Sequence, residues 1–593
     1  MAPTNPYSGV SRRLVLAFDV GTTYSGIAYA VLDPGDVPKI NAITRYPGQE
    51  NSDFKIPSIM YYTQEGRVRA AGAEAAEPRM KLLAEDENLI FVEWFKLHLR
   101  PGSMAGELQT DSLRSLPPGK TAIDVFADFL KYLFSCARRY ITQTHANGDS
   151  LWESVDSRID FIFGHPNGWE GLQQSKMRQA AVAAELIPDT PAGHARVHFV
   201  TEGEASLHYC LDGGLASDVI KVGSKVVIID AGGGTVDLST YTFTTVSPTS
   251  VEEAYTPDCI LQGSTRVNAR ARSSRSVLEK LRDSKYGNEQ DLDSMLDHFE
   301  KSTKPTFKDP QEKSYIKFGS MRDKDPTVGI RGGQMQLSGS EVERFFEPSV
   351  AAIIEAVRRQ CDASNEVVPT AFLVGGFAAS PWLFLKLQEA LRTQGIQLCR
   401  PDLHTNKAVA EGAASFYLQQ FVSIRVAKLT YGTKVAEHYN ESNPEHRKRS
   451  ATVGMNAAGR KLVPGAFAVA LAKGKRMRDN EEVAIELVME RGQPSAMNTI
   501  ECDVTCYRGG LKDPRWLDND KDMYSCLLNM RADVSSAKKD LCIGPAGLFY
   551  RQCFKMILLC GLTELKAQIS WMEDGVEKRG PAEIVYDDDA LVS

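Results

Sequence analysis

One pattern in this 593-residue chain limits its fold more than any other, because it occurs twice. Leu14-Val15-Leu16-Ala17-Phe18 is an apolar run that ends in Asp19, turns through Gly21-Thr22-Thr23 and resumes over Ser25 to Leu32. From Asp19 to Asp230, 211 residues on, the pattern returns. Val226-Val227-Ile228-Ile229 runs into Asp230, turns through Gly232-Gly233-Gly234-Thr235 and resumes through Leu238 to Phe243. Short apolar runs bounded by turn residues read as buried strands. A repeat at this distance is too long for a solenoid unit and predicts a duplicated, two-lobed domain.

Helical patterns lie between and after the two copies. Ala122 to Tyr140 places Ile123, Phe126, Phe129, Leu130 and Leu133 at three- and four-residue steps, the spacing of one helix face. Leu172 to Leu186 reads similarly, with Pro188 as a stop, and Ser340 to Gln360 opens on a serine cap with a glutamate-rich first turn. That helix leads to a strand, Ala371-Phe372-Leu373-Val374, and the turn Gly375-Gly376. Strands alternating with helices predict an α/β fold over 14–420. Residues 1–13 are polar and read as a flexible arm, and 421–428 as a linker. Beyond it Val463–Leu471, Glu482–Met489, Phe554–Leu559, Lys566–Trp571 and Ala582–Tyr586 read as strands, with a turn at Asp574-Gly575. Residues 429–593 are therefore expected to form a smaller, mostly β domain.

Charge narrows the partners. Lys+Arg 69 against Asp+Glu 76 leaves a formal net charge of −7, so no global basic field draws nucleic acid or anionic lipid. Apolar runs such as Met556 to Cys560 fall far short of the ~20 residues needed to span a bilayer. Eleven scattered cysteines and no signal-type start suit a reduced compartment, cytoplasmic or nuclear. Cys502 and Cys506 lack the spacing of a zinc pair.

The paired turns carry the chemistry. Glycines let backbone amides approach a phosphate closely, and successive amides make an anion-binding concavity. Thr22, Thr23 and Thr235 add hydroxyls. A carboxylate at each strand end would repel phosphate unless a hydrated divalent cation lay between them, and magnesium keeps its waters and uses few carboxylates.

Asp19-Val20-Gly21-Thr22-Thr23-Tyr24-Ser25 and Asp230-Ala231-Gly232-Gly233-Gly234-Thr235-Val236-Asp237 resemble the two phosphate motifs of actin-like (ribonuclease H-like) ATPases. They are most similar to those of the seventy-kilodalton heat-shock (DnaK-type) chaperones. Phe372 to Gly376 resembles that family's adenosine motif, and Lys407 to Ala414 its second connecting helix, where small residues let the lobes pack and hinge. The resemblance implies ATP/ADP and Mg2+ as cofactors, with Asp19 and Asp230 holding the metal through water and Asp237 ordering its shell. It places Lys96 near the γ-phosphate and Glu202 as the residue that orients water, with Glu204 as a neighbouring competitor. Pro166, beside His165, matches the first connecting motif. Glu300 and Lys304 match the adenine side, together with Gly375 and Gly376.

The chain also departs from that pattern. The family's Ser-Thr-Arg after the adenosine glycines, whose arginine stacks on adenine, is replaced by Phe377-Ala378-Ala379. Phe377 either offers a substitute aromatic face or packs into the core. The β region resembles the family's peptide-binding sandwich only through Leu462-Val463-Pro464-Gly465 and the strands after it, and no long amphipathic helix follows to form a lid. These departures resemble the lidless eukaryotic branch, fungal members included. The expected function is ATP-dependent binding of unfolded or specific protein clients, with co-chaperones as further partners. Alternatives are a nucleotide-gated scaffold with negligible hydrolysis and a sugar-kinase-type phosphotransferase.

Overall fold

Two fully buried strands set the frame of the N-terminal part. In the computed structural model, which describes residues 5–101, 113–169, 171–213, 220–363, 368–401, 405–478, 481–561, 564–581 and 583–585, Arg13–Val20 buries every residue after its first, and Lys225–Ala231 buries all seven. A strand apolar on both faces must be covered on both, and each lies inside its own sheet. In the first sheet, Arg13–Val20 pairs antiparallel with Tyr24–Leu32 and parallel with Ile159–His165, which in turn pairs parallel with Val197–Thr201. In the second, Lys225–Ala231 pairs antiparallel with Val236–Val246 and parallel with Thr370–Val374, which pairs parallel with Gln397–Cys399. The architecture is mixed α/β with several sheets.

Each of these two sheets has an apolar core of its own. Phe18 stacks between Phe161 and Phe163 in the first, with Phe126, Phe129 and Leu133 packed from the helix Ala122–Thr144. That helix starts on a reciprocal cap in which the Thr121 hydroxyl accepts from the Asp124 amide and the Asp124 carboxylate accepts from the Thr121 amide. It runs four residues past the expected Tyr140. The second core gathers Ile229, Leu238, Phe346, Ile353, Leu373 and Trp382. Its long helix is Gly339–Ala363. Ser338 rather than Ser340 caps it, although each has a glutamate three residues on: the Ser338 amide donates to Glu341 Oε2 at 2.9 Å, and its hydroxyl accepts from the Glu341 amide.

Contacts divide the chain into two units, residues 1–169 with 176–422, and 170–175 with 423–593. In the first unit, within the segment expected as a loose arm, the Tyr7 amide donates to Asp36 O and Tyr7 O accepts from the Gly35 amide, while Val10 is exposed. Residues 1–4 of that segment lie outside the described residues. The stretch expected as a linker holds a strand, Val422–Val426.

The second unit is built of two antiparallel sheets. Thr430–His438, Lys461–Leu471, Thr499–Tyr507 and Tyr524–Asp533 belong to one; Glu482–Arg491, Gly547–Cys560, Leu565–Glu573 and Val576–Arg579 belong to the other. Leu471, Ile500, Val504 and Met530 of the first share one apolar core with Met556, Leu558 and Ile569 of the second. Asp574 and Gly575 both take positive φ, 51° and 80°, the primed turn their dipeptide predicts. Of the expected Ala582–Tyr586 strand, Glu583–Ile584 is a strand, and Ala582 and Tyr586 lie outside the described residues. Cys502 and Cys506 are inward-facing positions of Thr499–Tyr507, where they act as small apolar side chains. Among the described residues of 423–593 the one α-helix is Pro444–Lys448. No described helix is long and apolar enough to cross a membrane.

Candidate functional site

The parallel strands of both sheets end at the same place in the first unit, and the two glycine–threonine turns meet there. A side chain on Gly233 would strike Thr23 Oγ1 at 2.3 Å, and one on Gly234 would strike Thr22 Oγ1 at 2.4 Å. The turns are thus glycine-rich because they approach one another this closely. The carbonyls of Gly232, Gly233 and Gly234 accept from the amides of Ser264, Thr265 and Gly263, which fixes the second turn against the start of the helix Ser264–Arg272. The Gly21 amide donates to Ser25 Oγ, which is 2.7 Å from Ser58 Oγ, fixing the first.

Ionisable groups converge on the turns. Asp19, Asp230, Asp237, Glu202 and Lys96 are all buried. Lys96 Nζ lies 2.6 Å from Glu202 Oε1 and 5.5 Å from the centre of the Trp169 ring. Lys55 Nζ lies 2.7 Å from Asp19 Oδ2. The Ser206 hydroxyl donates to Asp230 Oδ2 at 2.6 Å, and the Asn167 amide donates to Asp237 Oδ1 at 2.5 Å. Burial, then the charges of Glu202 and Asp19, push Asp230 up to about 7 against the pull of Ser206. Burial, Glu202 and Asp230 push Asp237 well above the usual carboxylate range. Burial draws the Lys96 ammonium down, but Glu202, Asp19 and Asp237 outweigh it and the net direction is up. Carboxylates crowded in this way are a marker of a functional cleft.

The donor set fits a magnesium ion. Its oxygens are hard carboxylate atoms, and Asp237 Oδ2 is buried without a hydrogen-bond partner. The crowding that raises Asp230 and Asp237 is the strain a divalent cation relieves.

Two glycine contacts complete the frame. Gly375 adopts φ +91°, and a Cβ there would lie 2.4 Å from Asp230 Oδ1, so this turn needs glycine for both conformation and space. Gly412, in the helix Ala408–Gln419, sits where a Cβ would be 1.8 Å from Ala205 O in the helix Glu202–Asp212. The small residues of Lys407 to Ala414 therefore serve a close helix crossing. Thr201 caps the helix Glu202–Asp212, accepting from the Glu204 amide at 3.3 Å, and this places Glu202 in the first turn. Glu204 and His165 are buried, His165 against Phe199. Pro166 O accepts from the Trp169 amide, and the Asn167 amide that follows is the one on Asp237, so the Pro166 turn touches the acidic cluster.

The adenine-side expectations fare unevenly. Glu300 sits in a π-helical turn, Phe299–Thr303, with Lys304 just after it, and Lys304 Nζ lies 3.7 Å from Glu300 Oε1. The Tyr24 hydroxyl is pushed up first by burial and then by the charge of Glu300. Phe377 is a correction: it offers no face to a base, being 4% exposed in the second core with its ring stacked on Phe346 at 6.1 Å. An apolar ring on a short turn between a buried strand and a buried helix is held by the core.

Sequence reasoning missed Lys55, Ser206 and Asn167. Lys55 had a legible signal only in register: Asp19 pairs with Gly26, and Gly26 with Lys55, across three neighbouring strands.

No family model matches the chain. It is 24% identical over 508 residues to Heat shock 70 kDa protein 12A of Mus musculus, an alignment covering 72% of this chain and 73% of the relative. The Homo sapiens protein of that name is also 24% identical, over 506 residues, with the same shares. Heat shock 70 kDa protein 12B of Homo sapiens is 22% identical over 512 residues, 72% of each chain.

Proposed function

The chain is a divergent relative of the seventy-kilodalton heat-shock family, and on that premise we propose that it binds ATP between its two facing turns, hydrolyses it to ADP and phosphate, and couples nucleotide state to the binding of protein clients. The observation that carries this reading is the convergence of Asp19, Asp230, Asp237, Lys96 and Glu202 on the touching turns Thr22-Thr23 and Gly233-Gly234. The matching strand order of the two sheets supports a duplicated, two-lobed ATPase over 14–420, and the sandwich of 429–593 is the client-binding module. The proposed compartment is cytoplasmic or nuclear.

Asp19 and Asp230 would hold a magnesium ion through water and Asp237 would order its shell; the ion, when bound, would neutralise charge on the phosphates. The rest falls to this chain's own groups. The turn amides and the hydroxyls of Thr22, Thr23 and Thr235 orient the phosphates. Lys96 is neutralised by Glu202 at rest. A terminal phosphoryl group entering beside it competes for the ammonium, which then offsets charge on the phosphoryl oxygens. Glu202, released from that ion pair, accepts a hydrogen bond from water and aims it in line. Positioning and electrostatics dominate phosphoryl transfer, so these few groups suffice.

The Lys96–Glu202 pair also favours a second reading, a nucleotide-gated scaffold, if the pair stays closed on ATP. Phosphate release from Mg-ATP by the full-length protein, with and without an unfolded client, tests the choice. Turnover that rises with client supports the ATPase. ATP binding without phosphate release supports the scaffold.

A further inference from the structure

The same row of the two sheets is occupied by different chemistry. Across three neighbouring strands of the second sheet it reads Asp230, Asp237, Cys259. In the first sheet it reads Asp19, Gly26, Lys55. Residues in register on adjacent strands share a face, and two strand spacings separate the ends of the row by about 9–10 Å. A lysine can cross that distance only if the middle position is bare. Gly26 leaves it bare: a Cβ there would lie 3.2 Å from Lys55 Cγ and 2.8 Å from Phe54 O. The Lys55 stem crosses over Gly26, and its ammonium ends 2.7 Å from Asp19 Oδ2. The Lys55 side chain is 15% exposed and that of Asp19 4%.

A surface ion pair would carry no inference, but this one sits at the site described above. Asp19 opens the Thr22-Thr23 turn, and an uncompensated carboxylate there repels a polyphosphate. We propose that Lys55 is a built-in counter-charge to Asp19, so that this chain binds a nucleoside triphosphate with little dependence on a divalent cation. The inference rests on the nucleotide reading of the site. With Lys55 on Asp19 and Lys96 on Glu202, two of the four carboxylates at the turns carry an ammonium of their own. The Lys55–Asp19 contact is an ion pair that leaves Asp19 Oδ2 without a hydrogen bond, so the three donors of the ammonium are open to a phosphate oxygen while its charge stays beside Asp19. Lys55 thus acts on the ligand directly and also holds the Asp19 carboxylate in place.

Calorimetric titration of full-length protein with ATP, in magnesium and separately in EDTA, tests this. The wild type is expected to bind in EDTA within about tenfold of its dissociation constant in magnesium. Lys55→Met keeps the stem and removes the charge; the loss of a charged hydrogen bond should weaken binding in EDTA by about 10–100-fold. In magnesium the loss should be only a few-fold. Lys55→Arg should retain binding in both. ATP binding by the wild type that requires magnesium would overturn the proposal, as would Lys55→Met binding like the wild type in EDTA. No ATP binding in either buffer would overturn the nucleotide reading and this inference together. The wild-type arms decide the matter even if the variants do not fold.

Discussion

Lys96 and Glu202 face one another at 2.6 Å, both buried, at the point where the two glycine–threonine turns touch. They come from elements 106 residues apart, a 3-10 turn and the capped start of a helix. A buried pair is held at high cost, since each charge depends on the other. Such a pair is informative when it stands at the mouth of a site.

The first prediction follows from that pairing. Glu202→Gln should slow single-turnover ATP hydrolysis by about 10²–10⁴-fold, the range for a positioned water-orienting carboxylate. The dissociation constant for ATP should change far less. Rapid-quench kinetics beside a binding titration separate the two quantities. Hydrolysis unchanged in the variant would remove Glu202 from the mechanism.

Asp230 links the site to stability. Its carboxyl is held up at about 7 by burial and by Glu202 and Asp19. A carboxyl raised in the folded state favours folding below its ordinary range and loses that contribution as the pH rises through about 7. Asp230→Asn should therefore stabilise the ligand-free protein at pH 8 by about 1–3 kcal/mol, with the gain vanishing near pH 4. The same variant should bind Mg-ATP more weakly. Urea melts at the two pH values, with and without nucleotide, check both signs.

Gly412→Ala tests the helix crossing. Its Cβ would sit 1.8 Å from Ala205 O, a backbone atom that cannot swing aside. The helices must part, at a cost of about 1–3 kcal/mol. Because the partner helix carries Glu202 in its first turn, turnover should fall together with the denaturation midpoint.

Phe377→Ala should destabilise the protein by about 3–5 kcal/mol, as for a core aromatic. At temperatures where the variant is folded, its preference between ATP and GTP should match the wild type. A shift in base preference would return Phe377 to the ligand.

How much of this was legible in the sequence follows from what each signal needs. Asp19 and Asp230 could be read because a buried strand, a polar terminus and a glycine turn are local patterns, and they recur. The helix Ala122–Thr144 could be read from its face alone. Lys55 could not, because its meaning depends on register across two strands and on the bare Gly26 between them. Phe377 could be read either way, since a short turn does not reveal whether its ring faces solvent or core. Thr499–Tyr507 was harder to read: its inward positions include Cys502 and Cys506, which carry no strand signal of their own and pack as small apolar side chains.

The central claim is that the facing turns bind ATP, and thermal unfolding of the full-length protein with and without Mg-ATP tests it most directly. At a concentration 100 times the dissociation constant, ATP should add about 2.7 kcal/mol to the stability of the folded state. Gly234→Val, which would drive a side chain into Thr22, should abolish that gain. A midpoint that does not move at millimolar ATP would contradict the account.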